Sequence, residues 1–452
     1  MTSQHSESER GPAGLAGGRA GVLRRMITNG GMLLGGGAVE ALLGIATVAL
    51  TIRAIGMNGF GALILIQTVA ATAGQMLNLQ LGPTVVTFGS PRLHDNDRSG
   101  LSKLVAFLVR LEFAASALAI VVTATAIFWL GPIIDLPSQA LLPAAAYMVV
   151  IAFQTRGRTA NGLLRLFQRF DRIALLRGAQ SLVQLLGTAG LWLLGYGELI
   201  GFLAVWFAGI AVRGIGSALG AYAELRRHHC LPATLQHGQR ASALGDGLWR
   251  FIGMTNLKGL LSLPGDQIGT LLAGGLFGAG AAGLLQLASR IARAMSHPVR
   301  SMRPAIGPEL AQLLAAGEHR RLRRLVLRAT GLAGAGAVIG FPLLALAGLP
   351  LLELMGGNKA ADAYLLMLLL AIARFLSLTA FPLSPLLNAA ARPGWMTSAT
   401  AVGTAINVGA FIALATPLGL ESAGVAGIIA VLARVAIELA GALPLLRSRT
   451  DG

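Results

Sequence analysis

Gln286, Arg290, Arg293, His297 and Arg300 follow one another at steps of four, three, four and three residues. That spacing puts all five on one face of a helix. The surrounding residues are apolar enough to lie in a bilayer, where a charged side chain costs ~2.5–3.5 kcal/mol on insertion scales. The stripe is therefore expected to line a wet cleft rather than face lipid. Guanidinium groups stay charged and hold phosphate oxygens through paired donors, so the chemistry expected here is capture of a polyanion such as a pyrophosphate. One segment earlier, Lys258 and Asp266 bracket Pro264-Gly265, where a helix must kink or break. Broken helices with ionisable flanks near the membrane midplane are recurrent binding features of transporters. Other ionisable residues inside apolar segments are Glu40, Arg110, Glu112, Arg213, Arg374, Arg434 and Glu438. Arg110 and Glu112 lie near a helix end and are expected to snorkel, and Arg434 and Glu438, four residues apart, to pair. The expected cargo-binding set is Arg290, Arg293, His297, Lys258, Arg53, Arg213 and Arg374. Asp266, Glu438 and Glu40 are the candidate carboxylates for a coupling H+ or Na+; no metal and no other cofactor is expected.

The elements that position these residues are read from hydropathy. The chain has a mean hydropathy of +0.69, 54% hydrophobic residues and only 12% charged residues, which excludes an ordinary soluble protein of 452 residues. Twelve mostly apolar stretches can be marked near 27–52, 60–82, 104–130, 140–155, 173–194, 198–223, 251–275, 279–302, 326–349, 363–386, 396–415 and 422–446. At ~1.5 Å per residue such stretches can cross a hydrocarbon core of about 30 Å, allowing for tilt. Of the Lys and Arg residues outside these stretches, all but Arg53 and Lys359 fall in the two tails and the even-numbered connections. This bias predicts a multi-pass inner-membrane protein with both termini in the cytoplasm. It also accounts for the net charge of +17, which sits where anionic headgroups are, so nucleic acid is not an expected partner.

The fold class expected is all-α: twelve transmembrane helices in two six-helix lobes. The boundaries read as a disordered cytoplasmic tail over 1–22, lobes over 23–225 and 251–446, a linker over 226–250 and a tail over 447–452. A duplication supports the division. Residues 51–67 align with 270–286 at an offset of 219, with identities at Thr51/Thr270, Ala54/Ala273, Gly56/Gly275, Gly59/Gly278, Gly61/Gly280, Ala62/Ala281, Leu65/Leu284 and Gln67/Gln286. An even number of spans per half inserts both halves the same way up, so a pseudo-twofold along the membrane normal is expected, with the substrate between the halves. Small residues four apart, such as Gly31/Gly35 and Gly336/Gly340, suit close helix packing in lipid.

Three patterns suggest other chemistry and do not carry it. Gly278-Ala-Gly280-Ala-Ala-Gly283 has the glycine spacing of a dinucleotide loop but no preceding strand and no acid ~20 residues on, so it reads as a helix–helix turn. Asp95-Asn96-Asp97 resembles a metal–nucleotide motif but is expected to be a polar turn before the third helix. His228, His229 and the single Cys230 are adjacent and cannot supply a tetrahedral metal site; one cysteine also excludes an intrachain disulfide. No cleavable signal peptide is expected, because the first apolar run is too long for one.

Arg53-Ala-Ile-Gly56-Met-Asn-Gly-Phe60-Gly61 and Leu77-Asn-Leu-Gln-Leu-Gly82 resemble the first loop and second helix of bacterial polysaccharide (O-antigen-type) flippases. These belong to the multidrug/oligosaccharidyl-lipid/polysaccharide exporter superfamily. Gly162 to Arg172, Asp266 to Gly283 and Pro308 to Gly317 are similar to further parts of that family, with Leu63 and Gln80 departing from its pattern. The resemblance implies a central cationic cavity, alternating access and a cargo of undecaprenyl-pyrophosphate-linked oligosaccharide moved to the periplasmic leaflet. Membrane lipids and polysaccharide polymerase or export machinery would be its partners, and the protein would act as a monomer. The alternatives are a cation-coupled small-molecule or drug exporter of the same superfamily and, with less support, a glycan polymerase or ligase. A bond-making enzyme is not expected, because the odd connections are too short to hold an active site.

Overall fold

The computed structural model describes residues 13–77, 79, 81–134, 136–230, 247–261, 265–294, 306–307, 309–390 and 392–447. It is all-helical over those residues. The N-terminal lobe holds α1 (Ala13–Met76, two helices that meet at Gly56, whose φ is 70°), α2 (Leu81–His94), α3 (Arg98–Ile133), α4 (Ser138–Tyr147), α5 (Val150–Leu166), α6 (Phe170–Leu193) and α7 (Leu199–Arg227). The C-terminal lobe holds α8 (Leu248–Leu261), α9 (Gly265–Phe277), α10 (Ala279–Ala294), α11 (His319–Gly356), α12 (Tyr364–Thr379), α13 (Leu383–Ala389), α14 (Pro393–Leu418) and α15 (Ser422–Arg447). Seven helical stretches among the described residues are long and apolar enough to cross a membrane, and one of them, Gly394–Leu446, contains two of the expected spans. Within the described residues α8, α9 and α10 have 14, 13 and 16 residues.

Three boundaries differ from expectation. Helix α1 starts at Ala13, so residues 13–22 are helical rather than an unstructured tail. Extending a helix that already exists gains one hydrogen bond per residue fixed, which here offsets the ~1 kcal/mol by which each glycine disfavours helix relative to alanine. The second difference is α2, which forms where a polar loop was expected; Asp97 then caps α3 by accepting from the Gly100 N–H at 2.8 Å. Third, α5 continues to Leu166 through a stretch read as cytoplasmic loop. The expected break around Pro264 falls on residues 262–264, which lie outside the described residues.

Within the N-terminal lobe, α5 packs on α2, α3 and α7, and α6 packs between α1 and α7. In the C-terminal lobe α14 and α15 form a tight pair against α12, and α9 and α10 an antiparallel hairpin. The hairpin turns at Gly278, whose φ of 86° lies in the left-handed region open to glycine, so the dinucleotide-like motif is the tight turn expected.

The lobes meet through α1 against α10 and α11. At Gly61 a Cβ would lie 1.7 Å from the Ala279 carbonyl oxygen and 3.2 Å from the Gly280 nitrogen, so the two backbones touch. Gly61 and Gly280 are equivalent positions of the duplication. Equivalent residues in mutual contact are what a twofold axis passing between them requires. Nearby, the Arg53 guanidinium donates to the Leu354 carbonyl at 3.0 Å. All these contacts lie on the side of the odd-numbered connections, and they hold the lobes together there.

Candidate functional site: a cationic cavity in the N-terminal lobe

On the opposite, even-numbered side the lobes leave a cavity of about 560 Å³. Helix α5 supplies its floor. Gln154, Arg158, Asn161 and Arg165 line it at steps of four, three and four, one polar face of one helix. Arg177 of α6 and Arg213 of α7 complete a set of four guanidiniums, with Gln75 of α1 and Gln267 of α9 adding amides. No carboxylate lines this cavity among the described residues. One Nη of Arg158 donates to the Gly74 carbonyl at 3.1 Å, which anchors the side chain to α1. Its other Nη is buried and has no acceptor among the described residues. A buried guanidinium donor without an acceptor is costly, and an anion in the cavity would satisfy it.

A second cavity, about 500 Å³, lies within the C-terminal lobe and is lined by α9, α10, α12, α13, α14 and α15. Its charges are paired with one another. Asp266 accepts from Arg293 at 2.8 Å and from Arg374 in a shorter contact. Glu438, 2% exposed, accepts from Arg434 Nε at 3.1 Å and from the Ser384 hydroxyl at 3.1 Å. The expected Arg434–Glu438 pair is therefore formed. Asp266 and Gln267 are consecutive in the first turn of α9, and Asp266 lines the C-terminal cavity while Gln267 lines the N-terminal one. That turn is a wall common to both.

The residues expected to bind cargo are dispersed. Arg213 lines the N-terminal cavity and Arg374 the C-terminal one. Arg290 instead donates to the Gly44 carbonyl of α1 at 3.1 Å and acts as a strut between lobes. Arg293 is committed to Asp266, and Arg53 to Leu354 at the closed side. The reason is local: each of these guanidiniums has a carbonyl or carboxylate within reach, which satisfies it without a ligand. His297 and the Lys258 side chain lie outside the described residues, as does Arg300. Glu40 stands one turn before Gly44 on α1 and lines neither cavity. Glu112, expected to snorkel, is 5% exposed, and the Thr159 N–H points at its Oε1 at 3.4 Å. Sequence reading missed Arg158 and Arg165 because they lie in the connection between the fourth and fifth apolar stretches, and Arg177 although it lies inside the fifth. The signal was present all the same, since Gln154 to Arg165 repeats the periodicity seen at Gln286 to Arg300.

No family model matches the chain. It is 27% identical over 358 residues to the inner membrane protein YghQ of Escherichia coli (strain K12), a match covering 76% of this chain and 96% of that protein. Among solved structures it is similar to the inward-facing conformation of a multidrug resistance MATE family transporter of the MOP superfamily. That likeness has a TM-score of 0.75 at 16% identity, over 91% of this chain and 96% of the other. An outward-facing conformation of such a transporter gives a TM-score of 0.58 at 15% identity, over 94% and 96%. A MOP superfamily transporter from Pyrococcus furiosus, described as having a binding pocket of reverse polarity that suggests a different function, gives 0.59 at 16% identity, over 93% and 95%. The fold is that of the MATE transporters, all-α with twelve helices in two lobes.

Proposed function

We propose that this protein is an inner-membrane exporter that moves an anionic amphiphile by alternating access of its two lobes, with both termini in the cytoplasm. The observation that carries the reading is the N-terminal cavity: four arginines, four side-chain amides and no carboxylate among its described lining residues. Such a surface repels organic cations and attracts phosphate, sulfonate or carboxylate groups. The MATE-like architecture supports a small-molecule exporter over the lipid-linked oligosaccharide flippase to which the sequence points. The flippase remains a second reading, because four guanidiniums suit a pyrophosphate headgroup. Arg158, Arg165, Arg177 and Arg213 would hold the anionic group, and the protein acts alone, as a monomer. Coupling to H+ or Na+ would pass through a carboxylate; Asp266 and Glu438 are the candidates, each having to exchange an arginine partner for the ion.

A deletion strain separates the readings. Under the exporter reading it becomes hypersensitive to anionic amphiphiles, keeps its surface glycan, and is rescued by the wild-type gene but not by Arg158→Gln/Arg213→Gln. Loss of surface glycan with unchanged sensitivity supports the flippase. Hypersensitivity to organic cations alone removes the anionic cargo altogether.

A further inference from the structure

The C-terminal cavity has a polar lining that its internal ion pairs leave unused. Asp266 is held by Arg293 and Arg374, and Glu438 by Arg434 and Ser384, so the charges there are matched with one another. The lining side chains that no ion pair engages are uncharged. Ser377 of α12 and Thr404 and Asn407 of α14 line the cavity and make no hydrogen bond among the described residues. The Asn407 carboxamide stands between two glycines, with its Oδ1 4.0 Å from a Cβ built at Gly265 and its Nδ2 3.9 Å from one built at Gly427. Neither neighbour has a side chain to cover it. Leu370 of α12 and Met396 of α14, both partly exposed, supply apolar surface in the same cavity.

We infer that the C-terminal cavity is a binding site for an uncharged, hydroxyl-bearing group. A charged ligand entering here would have to break ion pairs that already satisfy one another, whereas a neutral one needs only donors and acceptors. Hydroxyls pair with the Asn407 amide and the Thr404 and Ser377 hydroxyls, and the apolar face of the ligand rests against Leu370 and Met396. Because Asp266 and Gln267 divide the two cavities at the first turn of α9, a cargo with an anionic end and a neutral hydroxylated end could occupy both at once. That composite cargo rests on the anion-binding reading of the N-terminal cavity; the C-terminal site does not.

The test uses the full chain, purified in a detergent without a sugar headgroup. Binding of three probes is followed by saturation-transfer NMR and competition: methyl α-glucoside, inorganic pyrophosphate and tetraphenylphosphonium. The glucoside is expected to bind, and Asn407→Leu to weaken it about tenfold, the loss of one or two ligand hydrogen bonds. Pyrophosphate reports the N-terminal cavity, so its failure alone sinks the anionic cargo and leaves this site standing. If Asn407→Leu also loses pyrophosphate, the variant has lost its fold and Thr404→Val replaces it. No glucoside binding to the wild type, equal binding in both variants, or tetraphenylphosphonium binding that these variants abolish would each overturn the inference.

Discussion

At the scale of residues, the deciding question is which arginines already have a partner. Arg290, Arg293, Arg374 and Arg53 each satisfy a carbonyl or carboxylate, while Arg158 keeps a donor without an acceptor among the described residues. Arg158→Gln and Arg213→Gln should each weaken pyrophosphate binding about tenfold or more, since a charge-assisted hydrogen bond contributes ~1.5–3 kcal/mol; isothermal calorimetry measures this. Arg293→Gln should leave that affinity unchanged. Asp266 has a structural part as well. Its side chain is 30% exposed and shared by two guanidiniums, so Asp266→Asn leaves two cations without their acid. The cost of breaking a fully buried pair, ~3–5 kcal/mol, shrinks with partial exposure to about 1–3 kcal/mol. A thermal melt of Asp266→Asn should therefore fall by several degrees, and adding Arg374→Leu should recover part of the loss. A melt equal to wild type contradicts the triad's structural role. Outside the membrane, Cys230 is 2% exposed, its Sγ donates to the His228 carbonyl at 3.3 Å, and burial raises its pKa. A raised thiol pKa lowers the thiolate fraction at neutral pH, so maleimide labelling should be slow in the native protein and become fast on unfolding.

At the scale of elements, the sequence shows where helices lie better than where they stop. Apolar stretches mark most spans, because desolvation dominates there. The same signal fails for α5, whose lower half carries Gln154, Arg158, Asn161 and Arg165 on a face that water rather than lipid covers. A wet helix in a membrane protein looks like a loop to hydropathy, and only its periodicity betrays it. The stripe on α10 has that periodicity too, yet its described arginines turn to Gly44 and Asp266; spacing fixes a face, and the neighbours decide what the face meets. The duplicated Gly61/Gly280 motif was legible as a repeat, but its meaning as a contact needed three dimensions. Since a Cβ at Gly61 would lie 1.7 Å from the Ala279 oxygen, Gly61→Val must push α1 and α10 apart. Spin labels at Ser138→Cys and Lys359→Cys, in a Cys230→Ser background, should report a longer distance between lobes in Gly61→Val than in the parent. An unchanged distance with intact folding means the glycine contact does not hold that side closed.

At the scale of the whole molecule, two lobes are joined at one face by backbone contact and a few hydrogen bonds, and separated at the other by a cavity of about 560 Å³. Alternating access follows if the closed face opens as the cavity collapses, which moves a bound group from one side to the other without chemical change. Under the proposed function, an anionic cargo would offset the repulsion among four guanidiniums as they converge. Screening by salt should weaken capture, since the cavity is open to solvent on one side. The most direct test is calorimetric titration of the purified wild type with pyrophosphate at low and high ionic strength, alongside Arg158→Gln/Arg213→Gln. Saturable binding that weakens with salt and vanishes in the double variant is the predicted result. A wild type indifferent to pyrophosphate, or a double variant that binds it as well as the parent, would contradict the cationic cavity as the cargo site.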